Sequence, residues 1–473
     1  MRSFKMILPD YVQYAIEALE KRGYDAYVVG GCVRDSLMGR QPHDWDITTN
    51  AIPDRIREVF SGHPQVLDGL KHGTVTVIFD HKPVEITTYR IDGNYSDGRR
   101  PDSIAFTSDL TEDLARRDFT VNACAYGREG LIDPFGGAED IEARLIRAVG
   151  DPECRFSEDA LRILRAMRFA SELSFSIESK TKEAMLRCMP LLKKISQERI
   201  KEELSRTLMG NNVQNVLDEF RDILLFLIPE LEPLATAAGQ EKCHTDLLSL
   251  SVNAIALSER ILSLRIALLM LGISKTRCHD FPDSAIGNKA SLYTSARSAS
   301  SQSSDTSDRV VENILRRMRF PGQIINQVSV ILRYADLSIP PDPVAVKRVL
   351  RLTGIESFRL ILKAKRAAAL SKIRALYKSC QQDGSLQISH TQNDAARLRE
   401  TEALENILDA LIEQGACIFL SDLAVRGDDL IEIGIPKGKM IGETLNRLLD
   451  LVVEGKIENK KDALLAEARR IIS

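Results

Sequence analysis

The spacing of apolar residues divides the sequence into two parts of different character. From Tyr27 to about Val149, short β-rich runs such as YVVGG, TVTVIF and VEITTYR alternate with turn residues, a pattern that predicts strands. After Asp151, apolar residues recur at helical spacing in ALRILRAMRFASEL, LRIALLMLG and VENILRRMRF, and strand signals almost vanish. The pattern therefore predicts an α+β protein, in which an α/β domain precedes a long all-helical portion.

Two polar stretches interrupt the helical portion. Residues of about 277–308 are rich in Ser, Asp and Gly and lack periodicity, so we predict a disordered insertion there. The stretch QQDGSLQISHTQNDAARLRE, from Gln381, is interpreted as a loop between helices. At the other end of the chain, the N-terminal segment predicts an amphipathic helix rather than a signal peptide.

Composition narrows the class of protein. A chain of 473 residues with 44% hydrophobic residues is expected to form two to four structural units. The eight cysteines are scattered without a CxxC pair, and no apolar run approaches the roughly 20 residues of a membrane span, so a cytoplasmic location without membrane contact is expected. The net charge of −3 argues against a uniformly basic binder. Local basic clusters remain, such as the stretch from Lys363 to Lys378, although such clusters are more often solvated helix faces.

The most informative chemistry lies in YVVGGCVRDSLMGRQPHDWDITT, which begins at Tyr27. A strand that ends in Gly30 and Gly31 lets the backbone approach a triphosphate closely, because glycine lacks a Cβ atom. A helix that carries Arg34 is predicted to follow. The segment thus predicts a nucleotide-binding turn.

Asp44 and Asp46 follow two residues apart, which on a strand places both carboxylates on one face. Two like charges so close repel each other, and oxygen ligands beside a triphosphate select Mg²⁺. A metal pair could then activate a 3′-hydroxyl and neutralise pyrophosphate. A DxD pair alone is more often an exposed turn. Glu85, in VEITTYR, is a candidate third metal ligand, although a strand glutamate is as often a surface residue.

The segment RRDFTVNA adds a second group of polar residues. Arg116 and Arg117 offer forked donors for phosphate oxygens, while Asp118 and Asn122 can hydrogen-bond ribose hydroxyls. The tripeptide RRD alone is a poor predictor of nucleotide binding. It becomes informative because it follows the carboxylate pair along the chain.

A third motif, SEDALRILRAMRF, contains Glu158, Asp159, Arg162 and Arg165, of which Asp159 and Arg162 are predicted to share a helix face. The alternative interpretation is a surface ion pair. Cytosine and adenine each present an amine donor beside a ring-nitrogen acceptor, which a carboxylate beside a guanidinium matches, whereas uracil and guanine present the reverse order. The motif could therefore select C and A without a template.

Together these motifs resemble the class II CCA-adding tRNA nucleotidyltransferases and the related bacterial poly(A) polymerases. GGCVRDSLMGR with DWD is similar to their catalytic motif, RRDFTVNA to their ribose motif and EDALRILR to their base-selecting motif. FGGAEDIEARLIRAVGDP, with Asp140 and Arg147, resembles the segment that couples head and neck. ERIKEELSRTL, with Arg199 and Glu202, resembles the neck-stabilising motif.

The resemblance implies a polymerase-beta-type head over 1–150, a helical neck over 151–210, a helical body over 211–350 and a tRNA-binding tail over 351–473. It implies Mg²⁺ as cofactor, and CTP, ATP and the tRNA 3′ end as partners, with no DNA expected. The leading hypothesis is CCA or terminal A addition. A poly(A) polymerase acting on other RNAs and a non-catalytic RNA-binding protein with a relic head remain the alternatives.

Two further segments bear on these expectations. The stretch over 88–118 resembles the family's flexible loop for switching from C to A addition, although it could be a plain surface loop. The body resembles an HD phosphohydrolase domain, but Met270 and Leu271 stand where the family's His-Asp metal ligands are expected. We therefore expect a degenerate HD-like body without hydrolase activity.

Overall fold

The computed structural model describes residues 4–93, 103–236, 245–273, 309–383 and 388–472. The centre of the predicted loop, 94–102, and the predicted insertion over about 277–308 lie outside these residues. The chain divides into two compact units, Met1–Leu227 and Ile228–Ser473. This division is coarser than the four-part organisation predicted from the sequence, which stays a prediction.

The N-terminal unit is built on a seven-stranded sheet in the order β3-β4-β5-β2-β1-β8-β9. Strands β2 and β5 run parallel, and the other neighbours run antiparallel, so the sheet is mixed. A β6–β7 ribbon and a short parallel β10–β11 pair complete the described strands. The strands are β1 Ala26–Val29, β2 Asp46–Thr49, β3 Gln65–Val66, β4 Thr74–Phe79, β5 Lys82–Thr88, β6 Arg90–Asp92, β7 Ile104–Phe106, β8 Ala125–Gly127, β9 Gly130–Ile132, β10 Leu145–Ile146 and β11 Ser176–Ile177.

Helices of the N-terminal unit pack against this sheet, and further helices follow its last strand, β9, along the chain. In β4, buried residues alternate with half-buried ones, as expected of a strand with one face on a core. The predicted N-terminal helix is confirmed and buries Val12 and Leu19 in the same core as β4. The helices are α1 Asp10–Glu20, α2 Gly31–Leu37, α3 Pro53–Val59, α4 Leu110–Ala115, α5 Gly137–Glu142, α6 Pro152–Glu158, α7 Leu161–Leu173, α8 Ser179–Cys188, α9 Gln197–Met209, α10 Val213–Glu219 and α11 Arg221–Leu227.

The C-terminal unit consists of helices in its described parts, which confirms the α+β class. Among its described residues, one apolar core includes Phe358 and Leu404, and another includes Leu430 and Leu448. No helix in the described ranges is long and apolar enough to cross a membrane. The helices span Glu232–Thr236, Leu247–Leu257, Leu262–Met270, 309–317, Gly322–Ala335, Pro343–Thr353, Ile355–Asp383, Ile388–Glu413, Gly427–Glu432, Lys439–Val453 and Lys461–Ile472.

One loop prediction is wrong. Most of the polar stretch from Gln381 belongs to the helices Ile355–Asp383 and Ile388–Glu413, and only 384–387 lie outside the described residues. The two helices bury Phe358 and Leu404 in one core, so tertiary packing outweighs the polar local sequence.

Candidate active site

The two carboxylates of the DWD segment occupy different local structures. Asp46 is the first residue of β2, whereas Asp44 is exposed in a bend before the strand, so the prediction that both stand on one strand is wrong. The pairing of β2 with β1 stops at Ile47 opposite Val28, because β1 turns into helix α2 just beyond that point. Trp45, between the two aspartates, is buried in the sheet core and anchors the bend.

Asp46 lies at a point of concentrated negative charge. Its neighbour across the parallel β2–β5 pair is Glu85, as the sequence predicted for a third carboxylate. Burial, together with the charges of Glu85 and Asp44, raises the pKa of Asp46 to about 6, although Arg117 opposes them. A carboxylate cluster of this kind favours a bound cation, since a cation lowers the cost of keeping the group charged.

Arg117 lies at the edge of this cluster and beside the glycine turn. Its Nη1 atom is 3.0 Å from the point that a Cβ atom on Gly30 would occupy, and Gly30 has a φ of +81°. Any side chain at Gly30 would therefore strain the backbone and crowd the guanidinium. Burial lowers the pKa of Arg117, while Asp113, Asp46 and Asp118 favour its charged form. The strand itself ends at Val29, and Gly31 is already the first residue of α2.

Asp113, which the sequence analysis missed, holds the two arginines of RRDFTVNA. This fully buried carboxylate lies 2.8 Å from Arg116 and 3.6 Å from Arg117, and it accepts a 3.1 Å hydrogen bond from Thr48 of β2. Burial alone would raise the pKa of Asp113, but Arg116 and Arg117 together lower it. Its i,i+3 and i,i+4 spacing from the arginines on and beyond α4 was the available signal.

Arg34, Asn122 and Asp118 form a continuous chain of hydrogen bonds. Arg34 Nη1 donates to Asn122 Oδ1 at 2.7 Å, and Asn122 Nδ2 donates to Asp118 Oδ1 at 3.2 Å. Arg165 Nε donates to Asp118 Oδ2 at 2.7 Å. Although burial alone would raise the pKa of Asp118, Arg165 and Arg162 lower it to about 2. The predicted ribose contacts of Asp118 and Asn122 stay predictions, because both side chains are bonded within the protein.

The base-selecting motif departs from its predicted geometry. Helix α6 ends at Glu158, Asp159 adopts an extended conformation, and α7 begins at Leu161, so Asp159 and Arg162 do not share a helix face. Asp159 interrupts the helix, because its Oδ1 atom accepts a hydrogen bond from the backbone N–H of Leu161. A side chain that bonds a nearby backbone N–H competes with helix continuation.

The two residues also pair with different partners. Asp159 Oδ2 accepts from Arg199 at 2.6 Å, whereas Arg162 Nη1 donates to Glu158 at 2.5 Å. Arg162 also donates to the backbone carbonyl of Arg116 at 3.0 Å, which joins the motif to RRDFTVNA. A surface ion pair between Asp159 and Arg162, which was the alternative interpretation of the motif, is therefore absent from the ion pairs that the described residues form.

The coupling and neck motifs also form ion pairs. Asp140 and Arg147 lie 3.0 Å apart, while the coupling role that the resemblance implies for their segment stays a prediction. In the neck, however, Glu202 is exposed, and its neighbour Glu203 is buried 2.7 Å from Arg168. The sequence analysis missed Glu203, and Arg168, which belongs to a basic cluster interpreted from the sequence as a solvated helix face, is instead buried.

The site thus gathers a carboxylate edge, a glycine turn beside the half-buried Arg117, and a chain of hydrogen bonds that ends at the base-selecting motif. Within the described residues, no group of three or more His, Cys, Asp or Glu side chains is arranged to hold a metal ion. The role of Glu85 as a third ligand therefore stays a prediction. Carboxylate oxygens can bind Mg²⁺, and guanidiniums can bind phosphate oxygens. Their arrangement side by side suits the transfer of a phosphate-bearing group with the help of Mg²⁺.

Family models match three parts of the chain. Residues 26–147 match the poly A polymerase head domain, residues 174–234 match the probable RNA and SrmB-binding site of polymerase A, and residues 298–468 match the putative tRNA nucleotidyltransferase domain 2. The first match contains the carboxylate edge and RRDFTVNA, and the second contains α8 and α9.

Similar proteins extend over almost the whole chain. The CCA-adding enzyme of Geobacillus thermodenitrificans is 36% identical, and that of Lactobacillus helveticus is 33% identical, each alignment covering 95% of this chain and 94% of the relative. Among solved structures, the Bacillus stearothermophilus CCA-adding enzyme in complex with CTP has a TM-score of 0.67 and 30% identity, with 98% of both chains covered. The Thermotoga maritima CCA-adding enzyme complexed with tRNA has a like fold, with a TM-score of 0.58.

Proposed function

The chain belongs to the family of CCA-adding tRNA nucleotidyltransferases, and from this we propose that it builds the 3′ end of tRNA from CTP and ATP without a nucleic-acid template. The observation that carries the proposal is that the alignments to these relatives cover 95% of this chain and 94% of each relative. A relic head is disfavoured, because Asp46 keeps a charge cluster that costs stability without a ligand.

We propose Mg²⁺ as the metal, held by Asp44 and Asp46, with Glu85 as a further candidate ligand. The fit rests on the position of the half-buried Asp46 opposite Glu85 across the β2–β5 pair, where the neighbouring carboxylates raise its pKa and Arg117 opposes them. When bound, Mg²⁺ would neutralise phosphate charge and make the 3′-hydroxyl of the RNA easier to deprotonate. The carboxylates orient the reacting groups along the edge of β2.

The incoming nucleotide is assigned to the space between the glycine turn and α7. Gly30 and Gly31 allow the triphosphate to approach the backbone, and Arg117 supplies charge at that point. Arg34 and Arg116 support the same region from α2 and the end of α4. Ribose hydroxyls would bond Asp118 and Asn122 by joining the existing chain of hydrogen bonds or by replacing one of its members.

Base selection is assigned to Asp159 and Arg162, with Glu158 and Arg165 at their sides. Because Asp159 is held by Arg199 and Arg162 by Glu158, a base must share these contacts or displace them. If uracil or guanine were bound, a donor and an acceptor of the protein would be left without hydrogen-bond partners. The free-energy cost of that loss would disfavour these two bases relative to cytosine and adenine.

The wider assignments follow the same family. Head, neck, body and tail occupy 1–150, 151–210, 211–350 and 351–473, and RNA contacts are expected in the neck and tail. The enzyme is expected to act in the cytoplasm and to have no DNA substrate. The rival function, a poly(A) polymerase, differs in the RNA that it extends.

The decisive experiment offers tRNA transcripts that end at the discriminator base, at C and at CC, with CTP and ATP separately and together. The proposal expects C, C and A to be added in order and extension to stop there. A long A tail would support the rival activity, and no product with any transcript would support a relic head.

The predicted loop over 88–118 is expected to be needed for the addition of the final A but not for the addition of C. Shortening the loop between Asp92 and Asp102 should leave C addition largely intact and block the final A, because the loop is expected to adjust the site for a purine. The product ladder on transcripts ending at C and at CC measures both steps. Equal loss of the two steps would show that the loop only supports the fold.

A further inference from the structure

Phe169, in helix α7, lies among three guanidinium groups. The Cζ atoms of Arg34, Arg165 and Arg168 are 5.3, 5.4 and 4.1 Å from the centre of its ring. The ring is buried, with only 5% of the residue exposed. A guanidinium within about 6 Å of the centre of an aromatic ring is attracted by the negative charge of the ring face, and more strongly where water is excluded. The ring therefore attracts cations from two helices, α2 and α7, to one point.

Each of these three cations also has a carboxylate partner, so the positive charge is balanced locally. The pairs are Arg34 with Asp35 at 2.8 Å, Arg165 with Asp118 at 2.6 Å and Arg168 with Glu203 at 2.7 Å. A guanidinium has five N–H donors and can meet a carboxylate through different nitrogens, so an ion pair alone leaves several arrangements open. A ring on one side of the guanidinium reduces the number of these arrangements.

Two of the guanidiniums are the ends of the hydrogen-bond chain that holds the proposed ribose ligands. Arg34 donates to Asn122, and Arg165 donates to Asp118. The same ring packs edge-on against Phe119, with 5.8 Å between the ring centres and 83° between the ring planes. The backbone N–H of Phe119 donates to Asp118 at 2.9 Å. The ring thus contacts the supports of the chain from both of its ends.

We propose that Phe169 is a positioning residue for the ribose of the incoming nucleotide. Its ring fixes Arg34 and Arg165, and these two guanidiniums keep the ribose ligands in the orientation that bonds the sugar hydroxyls. The side chain is apolar and buried, so it acts through its neighbours rather than by touching the nucleotide. The inference rests on the proposed function, in which Asp118 and Asn122 are the ribose ligands. A role in core packing alone would affect stability but not the choice of sugar.

The test measures kcat/KM for CTP and for 2′-deoxy-CTP on a tRNA transcript that ends at the discriminator base. The ratio of the two values does not depend on the fraction of the enzyme that folds, so it separates positioning from a loss of stability. Phe169→Leu keeps an apolar side chain but removes the ring. The ratio should then fall about tenfold, chiefly through a higher KM for CTP and with a smaller change in kcat. Phe169→Tyr keeps the ring and should have the wild-type ratio.

Phe220→Leu is the matched control. Phe220 is also fully buried and has a cation at its ring, since Lys182 Nζ lies 5.8 Å from the ring centre, but it does not belong to the candidate site. This variant should lose unfolding free energy in urea, as Phe169→Leu does, because both lose a buried aromatic side chain. Its ratio for the two nucleotides should nevertheless equal that of the wild type.

Asn122→Ala removes a proposed ribose ligand directly and should also reduce the ratio. A wild-type ratio in Phe169→Leu beside a reduced one in Asn122→Ala would overturn the proposal. Equal losses in Phe169→Leu and Phe169→Tyr, or an equal fall in Phe220→Leu, would overturn it as well. A wild type that uses CTP and 2′-deoxy-CTP equally well would instead count against the ribose contacts of the proposed function.

Discussion

The two units of the molecule treat charge in opposite ways. The N-terminal unit pairs buried carboxylates with buried or half-buried guanidiniums, as in Glu203 with Arg168 and Asp118 with Arg165. The C-terminal unit places most of its ion pairs at the surface, as in Arg359 with Asp409. Buried ion pairs are held rigidly but are costly to desolvate, whereas exposed ones contribute about 0–1 kcal/mol each.

This difference in the burial of charges suggests a division of roles, with catalysis in the N-terminal unit and RNA binding in the C-terminal unit. Catalysis needs charges in fixed positions, and the buried network around Asp113 and Asp118 supplies them. Binding a long RNA needs exposed charges that can meet phosphates, and we propose that the surface of the helical unit supplies them. The comparison therefore predicts large effects on turnover from the first unit and effects on affinity alone from the second.

The largest effect is expected at the carboxylate edge. Asp44→Ala and Asp46→Ala should each reduce nucleotide incorporation by at least about a thousandfold, because the carboxylates hold the proposed metal ions. Affinity for tRNA should remain close to that of the wild type, since neither residue belongs to the core. An incorporation assay beside a gel shift measures both quantities.

A matched control is available in Asp54→Ala, which removes an exposed carboxylate from α3 that pairs with Arg57 at 3.4 Å. This variant should retain full activity. Incorporation within tenfold of the wild type in either Asp44→Ala or Asp46→Ala would contradict the assignment of the metal site.

The sequence predicted local features well and partnerships poorly. Strands β1, β4 and β5 and the turn at Gly30 follow from alternation and glycine placement, which are local properties. The pairing of Asp159 with Arg199 joins residues 40 positions apart, so no local pattern could indicate it. The same holds for Thr48 and Asp113, which are brought together only when β2 and α4 pack.

The second-largest effect is expected in base choice. Arg162→Ala should let UTP or GTP compete with CTP and ATP, with a loss of discrimination of about a hundredfold, because we propose that the guanidinium donates to the ring nitrogen of C and A. Arg155→Ala is the control, since Arg155 also pairs with Glu158, at 3.0 Å. Single-nucleotide incorporation rates measure the selectivity. Equal rate loss for all four nucleotides would show that Arg162 binds phosphate or supports the fold.

A smaller effect is expected in stability. The folded-state pKa of Asp46 is about 6, above its ordinary value of 3.8. The metal-free protein should therefore be stabilised by the neutral carboxyl below about pH 4 and lose this stabilisation as the pH rises through 6. Asp46→Asn mimics the neutral form, so it should gain on the order of 2 kcal/mol at pH 8 and nothing near pH 4.

Urea denaturation in the presence of a chelator measures this difference. Asp54 is an exposed carboxylate with no neighbouring acidic strand. The difference in unfolding free energy between Asp54→Asn and the wild type should therefore not depend on pH in this way. A constant difference between Asp46→Asn and the wild type from pH 4 to pH 8 would mean that Asp46 titrates normally in the folded protein.

The smallest effect is expected at the position of the degenerate HD site, where loss of His244 should change nothing. Hydrolysis by an HD site needs histidine and aspartate ligands that converge on a metal. Met270 and Leu271, where the resemblance places two of these ligands, are buried and cannot replace them. Asp246 is engaged as the cap of the helix Leu247–Leu257, accepting from the Ser249 backbone at 2.9 Å, while His244 lies outside the described residues.

We therefore expect no 2′,3′-cyclic phosphodiesterase or phosphatase activity from the purified protein with nickel, manganese or magnesium, and no change in tRNA extension in His244→Ala. This result would sharpen the comparison, because all the chemistry would then belong to the N-terminal unit. Metal-dependent hydrolysis that persists in Asp44→Ala and disappears in His244→Ala would break it. In that case the helical unit would hold a second catalytic centre, and its surface charges would have to be interpreted as part of a substrate path rather than as RNA contacts alone.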